Sequence, residues 1–335
     1  MNFGVLRQAS TSGALRLGED KMKHYLFGAA LAAVLAVPAY ANDYTIMAPA
    51  APGGGWDSTA RSMAEVMVAE GVSASVQVQN VPGAGGTVGL AQFASSAAGD
   101  ASQLIVGGYV MVGAILTNAA PVTLADVTPI ARLTGEAVGI AVSAASPIQT
   151  IGELVEMMKA DPGSVSWGGG SAGGVDHITV GLLAQAAGID PTKINYVAFS
   201  GGGEALAAIL GNQVTVGISG VGEFLPQVEA GTMRMLAVST AEKWAGTDAP
   251  TLMESGYDVN VQNWRMVAAA PGLSDEQKAA VAADIEKMAN SAGWKSVLET
   301  KGWANTYLAG AEFESQLAKE IVATTAVLKE IGLVQ

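Results

Sequence analysis

The chain of 335 residues carries a formal net charge of −13 at pH 7 and contains no cysteine. The missing cysteines exclude disulfide bonds, thiolate catalysis and cysteine-based metal sites, and two histidines are too few for a histidine-cluster metal site. The acidic charge repels nucleic acid, so we expect no nucleic-acid partner, and the residue types predict no metal or other cofactor.

Residues 1–41 have the layout of a secretory signal peptide behind a short upstream extension. The basic segment MKH (22–24) is followed by the apolar run YLFGAALAAVLAV and by AYA (39–41), an Ala-x-Ala cleavage site. We therefore expect translation to start at Met22, cleavage after Ala41, and a mature chain that works in the periplasm. The apolar run is shorter than the about 20 residues of a membrane span, and an uncleaved N-terminal anchor is the alternative.

Strand and helix patterns alternate along the rest of the chain. The first part predicts strands over 44–50, 75–80, 103–108 and 137–143, with helices over 58–69 and 87–97. The next part predicts helices over 150–160, 175–187, 203–211 and 221–230, alternating with strands over 164–169, 194–199, 214–219 and 233–239. Capping boxes are predicted at Thr150 with Glu153 and at Ser274 with Gln277, and the last helix places Phe313, Leu317, Ile321 and Leu328 on one face. This alternation is typical of an α/β fold with mostly parallel sheets.

Four glycine-rich turns each follow a predicted strand and precede a predicted helix. They are PGGG (52–55), PGAGG (82–86), GGGSAGG (168–174) and SGGG (200–203). In open α/β sheets this junction is the edge where ligands bind, and helix N-termini present unpaired N–H groups there. The pattern therefore predicts an anion held by backbone amides across a cleft.

The turn at 82–86 matches a dinucleotide-binding fingerprint only in part. Gly83-x-Gly85 follows a strand, but Val88 occupies the position of the third glycine, and no acidic strand end follows at the expected distance. A tight turn packed against a helix is the simpler alternative.

A hydrolase is disfavoured. Ser171 lies in a glycine turn, but the neighbouring His177 has no orienting acid other than Asp176 beside it. A structural histidine is the more common interpretation of His177.

The first turn ends in residues with two interpretations each. Asp57 either caps a helix that begins at Ser58 or faces the cleft, and Trp56 either packs or forms a wall of the cleft. Arg61 either pairs with Asp57 four residues earlier or adds positive potential to the site. Trp264, on a strand returning towards the first part of the chain, is a further candidate for the cleft.

Six segments together resemble the extracytoplasmic substrate-binding receptors of tripartite tricarboxylate transporters. They are PGGGWDSTAR, VQNVPGAGGTVG, GSAGGVDHITVGLL, YVAFSGGGEALAAILGNQVTVGI, PQVEAGTMRMLAVST and APTLMESGYDVNVQNWRMVAAAPG. The resemblance implies a two-lobed periplasmic-binding-protein (Venus flytrap) fold of type II-like topology with two crossing strands. Lobe 1 would comprise 42–138 and 251–335, and lobe 2 would comprise 139–250.

The resemblance also implies ligand contacts in the glycine turns. Carried over, they are Gly53, Gly54, Gly55, Trp56, Asp57, Gly83, Ala84, Gly85, Gly86, Thr87, Ser171, Ala172, Gly173, Gly174, His177, Ser200, Gly201, Gly202 and Gly203. The first turn departs from the commoner form of the family, which has no tryptophan before the aspartate. With Trp56 before Asp57 it is similar to the same turn in the citrate-type receptors.

The expected function is that of a periplasmic receptor, not an enzyme. It would capture a small di- or tricarboxylate, act as a monomer and deliver the acid to the membrane permease subunits of a tripartite tricarboxylate transporter. A receptor of the same fold that feeds a sensor system is the alternative, and an exported enzyme is disfavoured because the catalytic groups are missing.

Overall fold

The computed structural model describes residues 43–200 and 202–334. The predicted export signal with its cleavage site, and Gly201 of the fourth glycine turn, lie outside these residues. Among the helices of the described part, none combines the length and apolar character that a bilayer span requires.

Strands and α-helices alternate through most of the described chain. The strands are β1 (Tyr44–Ala48), β2 (Val76–Asn80), β3 (Gln103–Gly108), β4 (Thr128–Ser143), β5 (Ser166–Gly169), β6 (Asn195–Ala198), β7 (Val216–Gly220), β8 (Met233–Val238), β9 (Gln262–Ala269) and β10 (Ala304–Ala309). The helices are α1 (Gly55–Ala69), α2 (Thr87–Ser96), α3 (Tyr109–Thr117), α4 (Ile151–Ala160), α5 (Val175–Ala186), α6 (Gly202–Leu210), α7 (Val221–Glu229), α8 (Asp275–Asn290), α9 (Ala292–Lys301) and α10 (Gly310–Glu330).

The described strands form one ten-stranded mixed sheet. The order is β2-β1-β3-β9-β4-β7-β5-β6, and β8 and β10 also pair with β4. The pairs at the two ends, β1 with β2 and β3, and β5 with β6 and β7, are parallel. The pairs that involve β4 and β9 in the middle are antiparallel. The prediction of mostly parallel sheets is therefore wrong for the centre, where strands from distant segments meet without a helical crossover between them.

The long strand β4 belongs to both halves of the sheet. Its first part, Thr128–Ala137, pairs with β9, and its second part, from Val138, pairs with β7 and β8. The sequence predicts only 137–143 as a strand. The first part escapes this prediction because it buries polar side chains, among them Thr134 and Glu136, where a strand pattern would have apolar ones.

Separate apolar clusters lie on the two sides of the β4–β9 centre. One gathers Ile46, Val106 and Met266 with the faces of α1, α8 and α10. A second gathers Ile140, Trp167 and Ile218, and it also includes Leu252, Val259 and Val261. A third lies around Phe224 and Met235. The lobe boundaries at 138 and 251 stay a prediction.

Three elements were not predicted: α3, α9 and β10. Helix α3 is apolar on nearly every side, so it lacks the periodicity that marks an amphipathic helix. It begins directly after β3 because Gly108 has a φ of 152°, and a Cβ there would lie 2.2 Å from the carbonyl oxygen of Trp264. The predicted capping box of α8 is confirmed, whereas Thr150 of α4 accepts from the Glu153 N–H without the reciprocal bond.

Candidate functional site

A cavity of about 290 Å³ lies at the carboxyl ends of β1, β3, β5 and β7, where α1, α3, α5 and α7 begin. The turns after β2 and β6 complete its wall. Cavities for small ligands range upwards from about 300 Å³, so this one suits a small molecule. The position agrees with the predicted edge of the sheet.

The structure brings residues of all four glycine turns to this cavity. The predicted site residues that line it are Gly54, Gly55, Trp56, Gly83, Ala84, Gly85, Gly86, Ser171, Ala172, Ser200 and Gly202. Those that lie outside its lining are Gly53, Asp57, Thr87, Gly173, Gly174, His177 and Gly203. Contact of any of these residues with a ligand stays a prediction.

The cavity also has polar walls that the sequence did not indicate. These are Asn118, Asp176, Ser219, Glu223, Asn263 and Arg265. An arginine among the apolar residues of WRMVAAA was the available signal for Arg265. Glu223 had none, because an acidic residue in the first turn of a helix is ordinary.

Asp57 shapes the first turn from within α1. The helix begins at Gly55, three residues earlier than predicted, so Asp57 is a helical residue rather than the cap. Its carboxylate accepts from the Gly53 N–H at 2.9 Å, from Arg61 Nε at 3.0 Å and from Asn80 Nδ2 at 2.9 Å. Burial by itself would raise the pKa of Asp57, but these donors outweigh it and hold the pKa below its usual value. The carboxylate thus accepts its hydrogen bonds from groups of the protein.

Trp56 both packs and lines the cavity. Its ring lies against Gly86, where a Cβ would come within 2.7 Å of Trp56 Cζ3. Gly86 has a φ of 90°, a conformation that favours glycine. The indole therefore ties the first glycine turn to the second.

Three helices that begin beside the cavity lack the side-chain caps that three helices elsewhere have. Gly54, Gly86 and Gly174 precede α1, α2 and α5 and offer no side-chain oxygen. By contrast, α4, α8 and α9 start with hydroxyl caps that accept a backbone N–H. The Gly55 N–H at the start of α1 already donates to Glu223. The positive ends of the helix dipoles still point to the cavity, and no cap side chain occupies the remaining first-turn N–H groups of these helices.

His177 supports the third glycine turn from behind. Its ring stacks on Tyr196 with centroids 4.0 Å apart, and its Nδ1 accepts from the Gly173 N–H at 3.3 Å. Tyr196 in turn donates its hydroxyl to the Gly170 carbonyl at 2.8 Å. Burial lowers the pKa of His177 to about 4, so the imidazole is neutral at pH 7. This geometry supports the structural interpretation of the histidine.

A buried ion pair crosses the centre of the sheet beside the cavity. Arg265 Nη2 donates to Glu136, and these two side chains are 2% and 1% exposed. Glu136 also accepts from the Gly222 N–H at 2.9 Å, and the guanidinium lies 5.0 Å from the Trp303 ring centre. The Arg265 Nη1 atom is buried without a hydrogen-bond partner among the described residues.

Two further acids lie on the cavity wall. Burial, reinforced by the charge of Glu136, raises the pKa of Glu223 to about 7, although Arg265 and hydrogen bonds from Ser219 and the Gly55 N–H oppose the rise. Burial likewise raises the pKa of Asp176 to about 7, against a hydrogen bond from the Gly170 N–H at 2.8 Å. Near pH 7 both groups therefore accept or release a proton readily.

Comparison with known proteins gives one family and several solved folds. The sequence model of the tripartite tricarboxylate transporter family receptor matches residues 59–333. A UPF0065 protein of Bordetella bronchiseptica is 32% identical over 231 residues, which is 68% of this chain and 67% of that protein.

Two solved structures were determined with acids bound. MatC of Rhodopseudomonas palustris, with bound malate, matches with a TM-score of 0.74 at 23% identity and covers 85% of this chain and 98% of its own. The R. palustris protein Rpa4515, with adipate, matches with a TM-score of 0.77 at 22% identity and covers 87% of this chain and 97% of its own. At these identities the likeness establishes the fold, which is the two-lobed fold of periplasmic binding proteins.

Proposed function

Because the chain belongs to the tripartite tricarboxylate transporter receptor family, we propose that it captures a small di- or tricarboxylate in the periplasm and delivers it to the permease of such a transporter. The family and the similar folds are those of solute-binding proteins, so the chain is a receptor and not an enzyme. The acid would be held in the cavity between β1, β5 and the starts of their helices.

One observation carries this proposal: the cavity is walled by glycine turns at helix starts whose caps are glycines. Backbone N–H groups at such positions bind carboxylates through hydrogen bonds and through the helix dipole. Closure of the lobes would exclude water and strengthen these bonds. Local donors of this kind overcome the repulsion that a chain with a net charge of −13 exerts on an anion.

The similar structures support the class of ligand. MatC is described with malate and Rpa4515 with adipate, which are both small dicarboxylates. The tryptophan that precedes Asp57 resembles the citrate-type receptors of the family, and this resemblance favours a citrate-type ligand.

For the movement of the protein, we propose two lobes that hinge at β4 and β9. The first would contain 42–138 and the C-terminal part of the chain, and the second would contain 139–250. Segment 251–261 packs through Leu252, Val259 and Val261 with the second apolar cluster, which favours a second crossing at the start of β9.

A thermal-shift panel tests the ligand. The purified protein would be heated with malate, adipate, citrate and the neutral diamide of adipic acid. An acid present at about 100 times its dissociation constant adds about 2.7 kcal/mol to the free energy of unfolding, and the diamide should add nothing. Failure of every acid to raise the melting temperature would contradict the proposed ligand class.

Uptake by whole cells tests the delivery step. Cells that contain the permease subunits should take up the labelled acid only when this receptor is present. Unchanged uptake without the receptor, combined with a lost transcriptional response to the acid, would favour the sensor alternative instead.

A further inference from the structure

We infer that Arg265 binds a carboxylate of the ligand directly through its free Nη1 edge; this inference rests on the proposed function. Arg265 lines the cavity although only 2% of its side chain is exposed, and none of the predicted contacts included it. It would add a positively charged side chain to the backbone amides proposed to hold the acid.

The unused donor atom is the first reason. Buried polar groups in folded proteins nearly always have partners, and a buried guanidinium donor without one is destabilising. Nη1 of Arg265 has none among the described residues, whereas Nη2 is bonded to Glu136. A carboxylate in the cavity supplies the missing acceptor, and hydrogen bonds between two charged groups are the stronger kind.

The second reason is that other residues already contact one side of the guanidinium. A second cavity of about 610 Å³ lies on another side of Arg265 and is lined by Glu136 and Trp303, which do not line the first. These are the groups that hold one edge and one face of the guanidinium. Glu136 and Trp303 therefore occupy the side of Arg265 that faces the second cavity, and we infer that an acceptor reaches the buried Nη1 atom from the first cavity.

The guanidinium is also held in place before any ligand arrives. Glu136, its partner, is itself fixed by the Gly222 N–H at 2.9 Å. Gly55 packs on the guanidinium so tightly that a Cβ there would lie 2.5 Å from Arg265 Nη2. A charge that needs no reorganisation binds its partner more strongly, because less side-chain freedom is lost on binding.

Strand β9 places a second polar group next to this arginine. Asn263 lies two residues before Arg265, so both side chains are on the same face of the strand, and both line the cavity. An amide that donates and accepts, beside a cation, suits an acid that carries a hydroxyl group next to its carboxylate.

A purely structural role for Arg265 is the competing explanation, since its removal leaves Glu136 buried and unpaired. The experiment therefore compares Glu136→Gln with the double variant Glu136→Gln/Arg265→Met, in which neither charge remains. Binding of malate, adipate and citrate is measured by titration calorimetry at pH 7, and folding is checked by circular dichroism and thermal melting.

We expect Glu136→Gln to bind within a few-fold of the wild type, because the glutamine oxygen can still accept from Arg265 Nη2 and hold the guanidinium in place. The double variant should fold but bind about 100-fold more weakly, and Glu136→Gln/Arg265→Lys should recover part of the affinity. Two control variants each remove another cation. Arg234→Met removes a guanidinium that donates to the Ile148 carbonyl, and Lys301→Met removes an ammonium group at the second cavity. Neither control should change the affinity.

Equal affinities for Glu136→Gln and the double variant would overturn the inference and leave the proposed function intact. A loss of affinity in Lys301→Met instead would also overturn it, since the ligand would then lie in the second cavity. If the wild type binds none of the three acids, the proposed function fails and this inference fails with it.

Discussion

At the scale of the residue, the carboxyl groups around the cavity divide into two kinds. Asp57 is surrounded by donors and has a lowered pKa, whereas Asp176 and Glu223 are buried with few donors and have pKa values raised to about 7. The first kind fixes a turn, and the second kind makes the site sensitive to pH. The pKa of a carboxyl group thus shifts in opposite directions at these positions, because burial raises it and hydrogen-bond donors lower it.

Replacing Asp57 by asparagine should lower the free energy of unfolding by about 2 kcal/mol at pH 7, because the acceptor of three hydrogen bonds loses its charge. A lowered pKa stabilises the fold above the unfolded pKa of 3.8 and loses this effect as the pH falls through the folded pKa. The variant should therefore lack part of the acid-induced loss seen in the wild type by urea unfolding. As a control, Asp100→Asn on the exposed surface should change stability less.

Replacing Glu223 by glutamine should flatten the dependence of stability on pH. Its pKa rises from 4.5 to about 7 on folding, so its contribution is present below pH 4.5 and is lost as the pH rises through about 7. The groups that face it are Glu136, Arg265, Ser219 and the Gly55 N–H. Between pH 5 and pH 8 the free energy of unfolding of the wild type should fall by on the order of 1–3 kcal/mol. The variant should not show this part of the decrease. Denaturant unfolding at each pH measures both proteins. Parallel curves for both proteins would contradict the raised pKa.

At the scale of the element, the glycine turns differ in why they need glycine. A side chain at position 55 would clash with Arg265, and one at position 86 would clash with Trp56. By contrast, a Cβ on Gly203 meets nothing within 4 Å. The turn at 52–55 was predicted to hold an anion through its backbone amides, which requires space beside its glycines. For Gly55, the structure shows that a side chain of β9 also takes that space.

Replacing Gly55 by alanine should therefore lower stability by about 1–3 kcal/mol and weaken ligand binding, because the new methyl group displaces a guanidinium that cannot relax away from Glu136. Gly203→Ala is the matched control. It adds a methyl group in open space within α6 and should raise stability by up to about 1 kcal/mol. Thermal melting and calorimetry on both variants measure these effects, and equal behaviour of the two would refute the packing argument.

At the scale of the whole molecule, contacts between the proposed lobes meet at the rim of the cavity. A Cβ on Gly113 of α3 would lie 2.0 Å from the carbonyl oxygen of Gly173, and one on Gly85 would lie 3.4 Å from Ser171 Cβ. These pairs join residues from opposite sides of the β4–β9 centre. Opening of the proposed lobes would separate these pairs.

Replacing Gly113 by alanine should hinder closure. The variant should bind the acid at least about 10-fold more weakly, while the melting temperature without ligand changes little, because an open form has room for the methyl group and alanine favours the helix. Small-angle scattering with and without the acid should show a smaller decrease in radius of gyration than in the wild type. A large drop in the ligand-free melting temperature would instead place this contact in a rigid core.

The sequence by itself determined the α/β class, the family and the glycine turns that reach the cavity. It could do so because a strand, a glycine turn and a helix are contiguous in the chain, and their order shows in local composition and periodicity. The sequence left open whether Trp56 packs or lines the cleft, and the structure shows that it does both.

Only the tertiary structure decided what the centre of the molecule contains. The antiparallel pairing of β4 with β9, the Arg265–Glu136 ion pair and the arrival of Glu223 at the start of α1 each join segments that lie far apart in the sequence. No local pattern records such neighbours, because the side chains involved are polar residues whose burial is acceptable only once their partners are in place.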